Sequence, residues 1–157
     1  IPVPNGDFEN WDNTLFLQNW QTNSCPVCDP PYESYIIRKD SSSYHGTFAA
    51  KFIYNNVFPA QATNGFSIST HPANLTGYVK SKFPAADSAS IKVYLFNNGV
   101  MVDSGKAFIT SSIPNYTKIE IPITSNTVNS DSASIIIRSG THLGSELWID
   151  YLRLLKD

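Results

Sequence analysis

Apolar residues in this chain recur at every second position, and almost nowhere at the spacing of a helix. In "SIKVYLF" (Ser90–Phe96), Ile91, Val93 and Leu95 fall on one side of an extended strand, leaving Lys92, Tyr94 and Phe96 opposite. Similar β-branched and aromatic runs are "YIIRK" (Tyr35–Lys39), "TFAAKFIY" (Thr47–Tyr54), "GFSIST" (Gly65–Thr70) and "LTGYVKSKF" (Leu75–Phe83). They continue with "VMVDSGKAFI" (Val100–Ile109), "YTKIEIPI" (Tyr116–Ile123), "SASIIIRSG" (Ser132–Gly140) and "ELWIDYLRLL" (Glu146–Leu155). Turn residues separate them, and "NNG" at Asn97–Gly99 is a hairpin-type turn. Nine short strands without helix signals predict an all-β fold, a jelly-roll β-sandwich of two antiparallel sheets. No linker or internal repeat is visible, so residues 1–157 read as one β-sandwich domain.

The alternation gives each strand a second, outward face. Tyr78, Lys80 and Lys82 oppose Val79 and Phe83; Tyr116, Lys118 and Glu120 oppose Ile119, Ile121 and Ile123; Ser134, Ile136 and Arg138 oppose Ile135 and Ile137. If these strands share a sheet, its outer face mixes aromatic rings with long polar side chains. Such a face can stack sugar rings and hydrogen-bond hydroxyls. The alternative is that cross-strand Tyr, Lys and Glu neighbours only dress a solvated sheet.

Composition narrows the partners. Charged residues are 15% of the chain, against roughly 25% in ordinary soluble domains, while aromatics reach 13%. A net charge of −2, with Lys and Arg scattered singly, lacks the basic patch that nucleic acid requires. No apolar run approaches the ~20 residues of a membrane span, and no signal peptide is visible. The chain starts at Ile1 without a Met, which fits removal of a leader or a choice of boundary, and residence outside the cell is the expectation.

Cys25 and Cys28 form a single C-x-x-C in "SCPVCDPP". Zinc takes about four ligands, and His45, His71 and His142 have no metal spacing relative to it. A short-loop disulfide or two free thiols is the expectation. "NLT" at Asn74 and "NYT" at Asn115 match glycosylation sequons, which a Ser/Thr/Asn-rich chain also carries by chance.

The two ends carry a resemblance. "PNGDFENWD…LQNWQTN" (Asn5–Asn23) resembles the opening of secreted carbohydrate-binding modules of galactose-binding-like jelly-roll type. "SSYHGTFAAKF" (Ser42–Phe52) and "GTHLGSELWIDYLRL" (Gly140–Leu154) resemble an inner strand and the closing strand of the same modules. The chain is also similar to a domain assigned to carbohydrate metabolism on surface proteins of Bacteroidetes. It departs from the pattern at Gln18–Asn19, at Tyr151 and at the Cys25–Cys28 loop.

The resemblance implies a structural calcium ion, with Glu9 and Asp150 as carboxylate ligands. Backbone around Ser43–Gly46 and at Asp7 would complete the shell, with the Asp7 carboxylate a further candidate. Calcium takes six to eight oxygens in adaptable geometry, so donors from separate loops suit it. Glycosidase chemistry would need two carboxylates at a set separation across a sugar, but the resemblance assigns Asp7, Glu9 and Asp150 to the ion instead. No nucleophile elbow accompanies "SSSYHG", where His45 reads as a loop residue.

The expected function is therefore non-catalytic glycan binding by a secreted or surface protein, with weak single-site affinity raised by attachment to other domains. The candidate ligand-binding residues are Tyr78, Lys80, Tyr94, Glu120 and Arg138, extended by Tyr32 and Tyr35. Trp20 and Trp148 are expected in the core, and Trp11 is left open. The competing expectations are a structural or adhesive surface domain without a glycan ligand and a glycoside-processing enzyme.

Overall fold

The computed structural model describes residues 1–12, 16–24, 36–123 and 129–156. Its strands are β1 (Trp11–Asp12), β2 (Phe16–Leu17), β3 (Gln21–Thr22), β4 (Ile37–Asp40), β5 (Ala49–Ile53), β6 (Gln61–Ser67) and β7 (Asn74–Lys82). They continue with β8 (Ala89–Asn97), β9 (Val100–Ile109), β10 (Ile113–Pro122), β11 (Ser132–Arg138) and β12 (Glu146–Leu155). All nine expected strands are present. The three extra ones have two residues each, too short to carry a period. β6 begins four residues earlier than expected, because the buried Asn64, which donates to the Pro4 carbonyl at 2.8 Å, hides the alternation there.

Two five-stranded antiparallel sheets form the sandwich, in the orders β10-β7-β12-β5-β4 and β3-β6-β11-β8-β9. The core between them is built from the inward positions: Ile91, Val93, Leu95, Ile121, Ile135, Ile137, Leu147 and Ile149 are all fully buried. Each such side chain contributes about 1.5–3 kcal/mol by leaving water, which fixes the face that every strand turns inward. Phe8 and Trp20 join the same core and stack at 5.4 Å, as expected for Trp20. Trp11 packs against its margin and donates Nε1–H to the Phe8 carbonyl at 2.7 Å.

The opening segment runs beside the closing strand. Where β12 stops pairing with β5, at Ile149↔Ala50, residues 1–6 take over. Leu152 N–H donates to the Gly6 carbonyl at 2.8 Å, and Pro2 bridges Arg153. Asn5 then knots the turn that follows, donating to the carbonyls of Asn10 and Gln18 and accepting from Asn10 N–H. This knot sets the position of Glu9.

Candidate functional site

The outer face of the β10-β7-β12-β5-β4 sheet carries one continuous row of side chains. Arg38 stands opposite Lys51, Lys51 opposite Trp148, and Trp148 opposite Lys80. One pair further along β7, Tyr78 stands between Asp150 and Lys118. The loop of residues 41–48 folds over this point and lays Tyr44 on Tyr78, with ring centroids 3.5 Å apart and planes within 12°. Tyr116 and Tyr151 flank Tyr44 at 6.2 and 6.5 Å, and His45 stacks on Tyr151 at 4.2 Å.

Polar groups are interleaved with these rings. Lys80 Nζ lies 5.1 Å from the Tyr116 ring centre and 4.6 Å from Trp148, and donates to Ser42 Oγ. Tyr116 Oη donates to the Ser42 carbonyl at 2.5 Å. Burial, with Asp150 and Asp40 nearby, pushes the Tyr116 phenol well above its ordinary range, so it stays a neutral donor. Tyr44 remains about half exposed, at 47%.

Beneath the loop lie the two carboxylates singled out by the sequence. Asp150 is fully buried; its Oδ2 accepts the amides of Tyr44 and His45 at 2.8 and 2.9 Å, and its Oδ1 accepts that of Tyr151 at 2.8 Å. Glu9 Oε1 accepts the amides of Thr47 and Phe48, both at 2.9 Å. Ser43 Oγ donates to the Gly46 carbonyl at 2.9 Å and closes the turn. Gly46 has φ +70°, and a Cβ there would collide with the Glu9 carboxylate, so glycine lets the loop press onto Glu9. Burial raises the Asp150 pKa, the three amides lower it, and the Glu9 charge raises it again, leaving it at about 6.

Glu9 and Asp150 are carboxylates under one loop, a donor type that suits calcium better than a softer metal, and their oxygens accept backbone amides in the structure. Among the described residues no group of three or more His, Cys, Asp or Glu side chains converges, so carbonyls or water would have to complete the shell. Asp7 lines a separate cleft of about 380 Å3 with Asn5, Asn10, Tyr151 and Arg153.

The other candidates are dispersed. Tyr78 and Lys80 belong to the aromatic face, but Tyr94 and Arg138 project from the outer face of the opposite sheet, because β8 and β11 pair there. The expectation of a shared sheet thus holds for β7 and β10 and fails for β8 and β11. Tyr94 lines a cleft of about 320 Å3 with Lys106 and Pro122. Glu120 sits toward the far end of the aromatic face, opposite Thr76, and accepts from Asn74 Nδ2 at 3.1 Å. Tyr32, Tyr35, Cys25 and Cys28 lie outside the described residues.

The expectation that Trp148 belongs to the core is corrected. Leu147 and Ile149 take the inward positions, and Trp148 faces outward between Lys51 and Lys80. Strict alternation in "ELWID" carried that signal. Tyr44 and Tyr151 were missed for other reasons: one rides on a loop, the other on a β-bulge between Asp150 and Arg153.

A serine, a histidine and an aspartate also meet, without any sequence signature. Asp103 Oδ2 lies 3.0 Å from His71 Nε2, and Ser130 Oγ lies 3.0 Å from His71 Nδ1. Asp103 and Ser130 are each 7% exposed. The trio ties β9 to the segments before β7 and β11.

By sequence, no family model and no curated protein matches the chain. Solved structures match it by fold. TmCBM61 in complex with β-1,4-galactotriose aligns over 98% of this chain and 96% of its own, with a TM-score of 0.64 at 12% identity. The CBM22-1 xylan-binding domain from Paenibacillus barcinonensis Xyn10C aligns over 96% and 92%, with a TM-score of 0.53 at 14% identity. A protein from Bacteroides thetaiotaomicron provisionally assigned as a glycoside hydrolase gives a TM-score of 0.61 at 11% identity over 82% of this chain. This chain spans only 59% of that protein. The fold is the jelly roll that these solved structures share, as the sequence resemblance implied.

Proposed function

We propose that this chain is a non-catalytic glycan-binding module of a secreted or surface protein, and that it binds through the outer face of the β10-β7-β12-β5-β4 sheet. The observation that carries the reading is the convergence of Tyr44, Tyr78, Tyr116, Tyr151 and Trp148 on that face, interleaved with Lys80 and the Ser42 hydroxyl. Aromatic planes stack the apolar faces of sugar rings, and the polar groups between them hydrogen-bond hydroxyls. Two solved proteins of this fold, one crystallised with a galactotriose and one described as xylan-binding, support it. The amide bonds that engage Glu9 and Asp150 support a structural role for those carboxylates over an acid–base one.

A calcium ion held by Glu9 and Asp150, with backbone of the Ser43–Gly46 turn, belongs to the same proposal. It would supply positive charge to the buried Asp150 and the partly exposed Glu9. The chain's own part is to carry Tyr44 and His45 on the loop those carboxylates hold. The binding face is tested by a glycan array with a Tyr116→Ala/Tyr151→Ala variant. Loss of two stacking rings is expected to weaken binding about tenfold or more. Binding to no glycan class, or binding unmoved by the variant while its thermal midpoint is kept, would sink this assignment.

A further inference from the structure

The strongest unexplained feature of the aromatic face is its charge. A cleft of about 290 Å3 opens beside Trp148, lined by Lys80, Lys82, Ser112, Ile113 and Pro114 as well as Ser81. Its walls are mostly apolar, built from Trp148, Ile113 and Pro114 together with Lys80 and Lys82. Among the described residues neither Lys80 nor Lys82 makes an ion pair; Lys80 is held only by Ser42 Oγ and by the rings of Tyr116 and Trp148. On the other side of Trp148 stands Lys51, 3.8 Å from Asp40, with Arg38 next in the row. With strands ~4.8 Å apart, Lys51 and Lys80 are roughly 10 Å from each other at the backbone, astride the tryptophan. The nearest carboxylate to the cleft in the pairing register is Glu146, opposite Lys82, and it enters no ion pair among the described residues. Trp148 Nε1 is buried and has no hydrogen-bond partner among the described residues.

A neutral sugar needs a ring to stack on and hydrogen-bonding groups; it has no use for two neighbouring lysines, Lys80 and Lys82, that border one cleft without an ion pair among the described residues, while Lys51 across the ring is met by Asp40. Like charges gathered around one aromatic wall repel each other unless an anion joins them. We propose that the glycan taken by this face is anionic, a polysaccharide whose uronate carboxylates are met by Lys80 and Lys82 while its ring stacks on Trp148. This rests on the glycan-binding reading of the same face. A lysine is a mobile point charge, so it can swing from Ser42 to a ligand carboxylate and uncover the indole.

The test measures binding of the full chain to polygalacturonate, dextran sulfate and neutral β-1,4-galactan by affinity electrophoresis and calorimetry. The wild type is compared with Lys80→Ala/Lys82→Ala, Lys80→Arg/Lys82→Arg and Trp148→Ala, each checked for an unchanged fold by circular dichroism. The expected result is binding to polygalacturonate that weakens tenfold or more in the alanine pair and in Trp148→Ala, survives in the arginine pair, and falls between 50 and 200 mM salt. Tighter binding to dextran sulfate with the same variant pattern supports an anionic site and moves its anion from carboxylate to sulfate. Binding of an anion that ignores Trp148→Ala is ion exchange and overturns the proposal. Galactan bound as well as polygalacturonate, unmoved by the lysine changes, overturns it and leaves the glycan-binding reading standing. No binding in any arm overturns both.

Discussion

The loop of residues 41–48 and the loop of residues 140–145 are both fastened by side-chain carboxylates that accept backbone amides. Asp87 is the carboxylate that fastens the second loop among the described residues: it accepts from Thr141 N–H, His142 N–H and Ser145 Oγ, and from its own neighbour Ser88 N–H. Burial pushes its pKa up, but the Ser145 hydroxyl and the amides outweigh that, and the group ends below the ordinary carboxylate value. Asp150 accepts three amides as well, yet it ends above that value, at about 6. The difference is deeper burial and a second carboxylate, Glu9. Asp87 keeps its charge with hydrogen bonds alone, whereas Asp150 is fully buried beside the partly exposed Glu9, the place where a cation is proposed. This contrast is why calcium is proposed for the first loop and not the second.

The largest effect expected from breaking the contrast is at the glycines. A Cβ at Gly140 would collide with the Asp87 carboxylate, as one at Gly46 would with Glu9. Gly140→Ala should cost about 2–4 kcal/mol by displacing a carboxylate with four donors, seen as a thermal midpoint roughly 5–10 °C lower. That loss should be the same with calcium or with chelator. Gly46→Ala should lose more in calcium than in chelator, and equal losses would remove the distinction between the loops.

Next in size is calcium itself. At a hundredfold excess over its dissociation constant it should add about 2.7 kcal/mol, several degrees in a melting scan. Asp150→Asn should abolish that increment and Asp87→Asn should leave it intact. An unchanged midpoint in the wild type counts heavily against the ion.

The smallest effect is in pH. In chelator, the stability due to Asp150 is fully present below its unfolded value near 4 and is lost as pH rises through about 6, because the folded state holds the proton more tightly. Asp87 runs the other way: its contribution is present above the unfolded value and is lost as pH falls through its lowered folded one. Melting curves of wild type minus Asp150→Asn, taken from pH 4 to 7 in chelator, should drift against the wild type. A flat difference would mean that Asp150 is not perturbed.

Much of this was legible from alternation. The inward set of Ile91, Val93, Leu95, Ile135 and Ile137 needed nothing beyond period two, because each residue type matched its burial. The pairing of Glu9 and Asp150 under one loop followed from the resemblance of the two chain ends. Which strands share a sheet is a long-range property that no local period encodes, so period two places Tyr94 and Arg138 with Tyr78 although they face away from it. Tyr44 had no signal, since its position depends on amides caught by a residue 106 positions later.

The bulge in β12 acts as a phase shifter. Before it the inward residues are odd-numbered, Leu147 and Ile149; after it they are even-numbered, Leu152 and Leu154. The register passes from Asp150↔Tyr78 to Arg153↔Thr76, three steps against two, and Tyr151, at φ +54°, is the surplus residue. Deleting Tyr151 would therefore bring the two halves of a central strand back into one phase, with every inward side chain still inward. Loss of a residue in mid-strand normally turns a sheet inside out; here it would subtract one aromatic ring and leave the frame. In a domain of this build the outer face proposed to bind can be edited by length as well as by substitution.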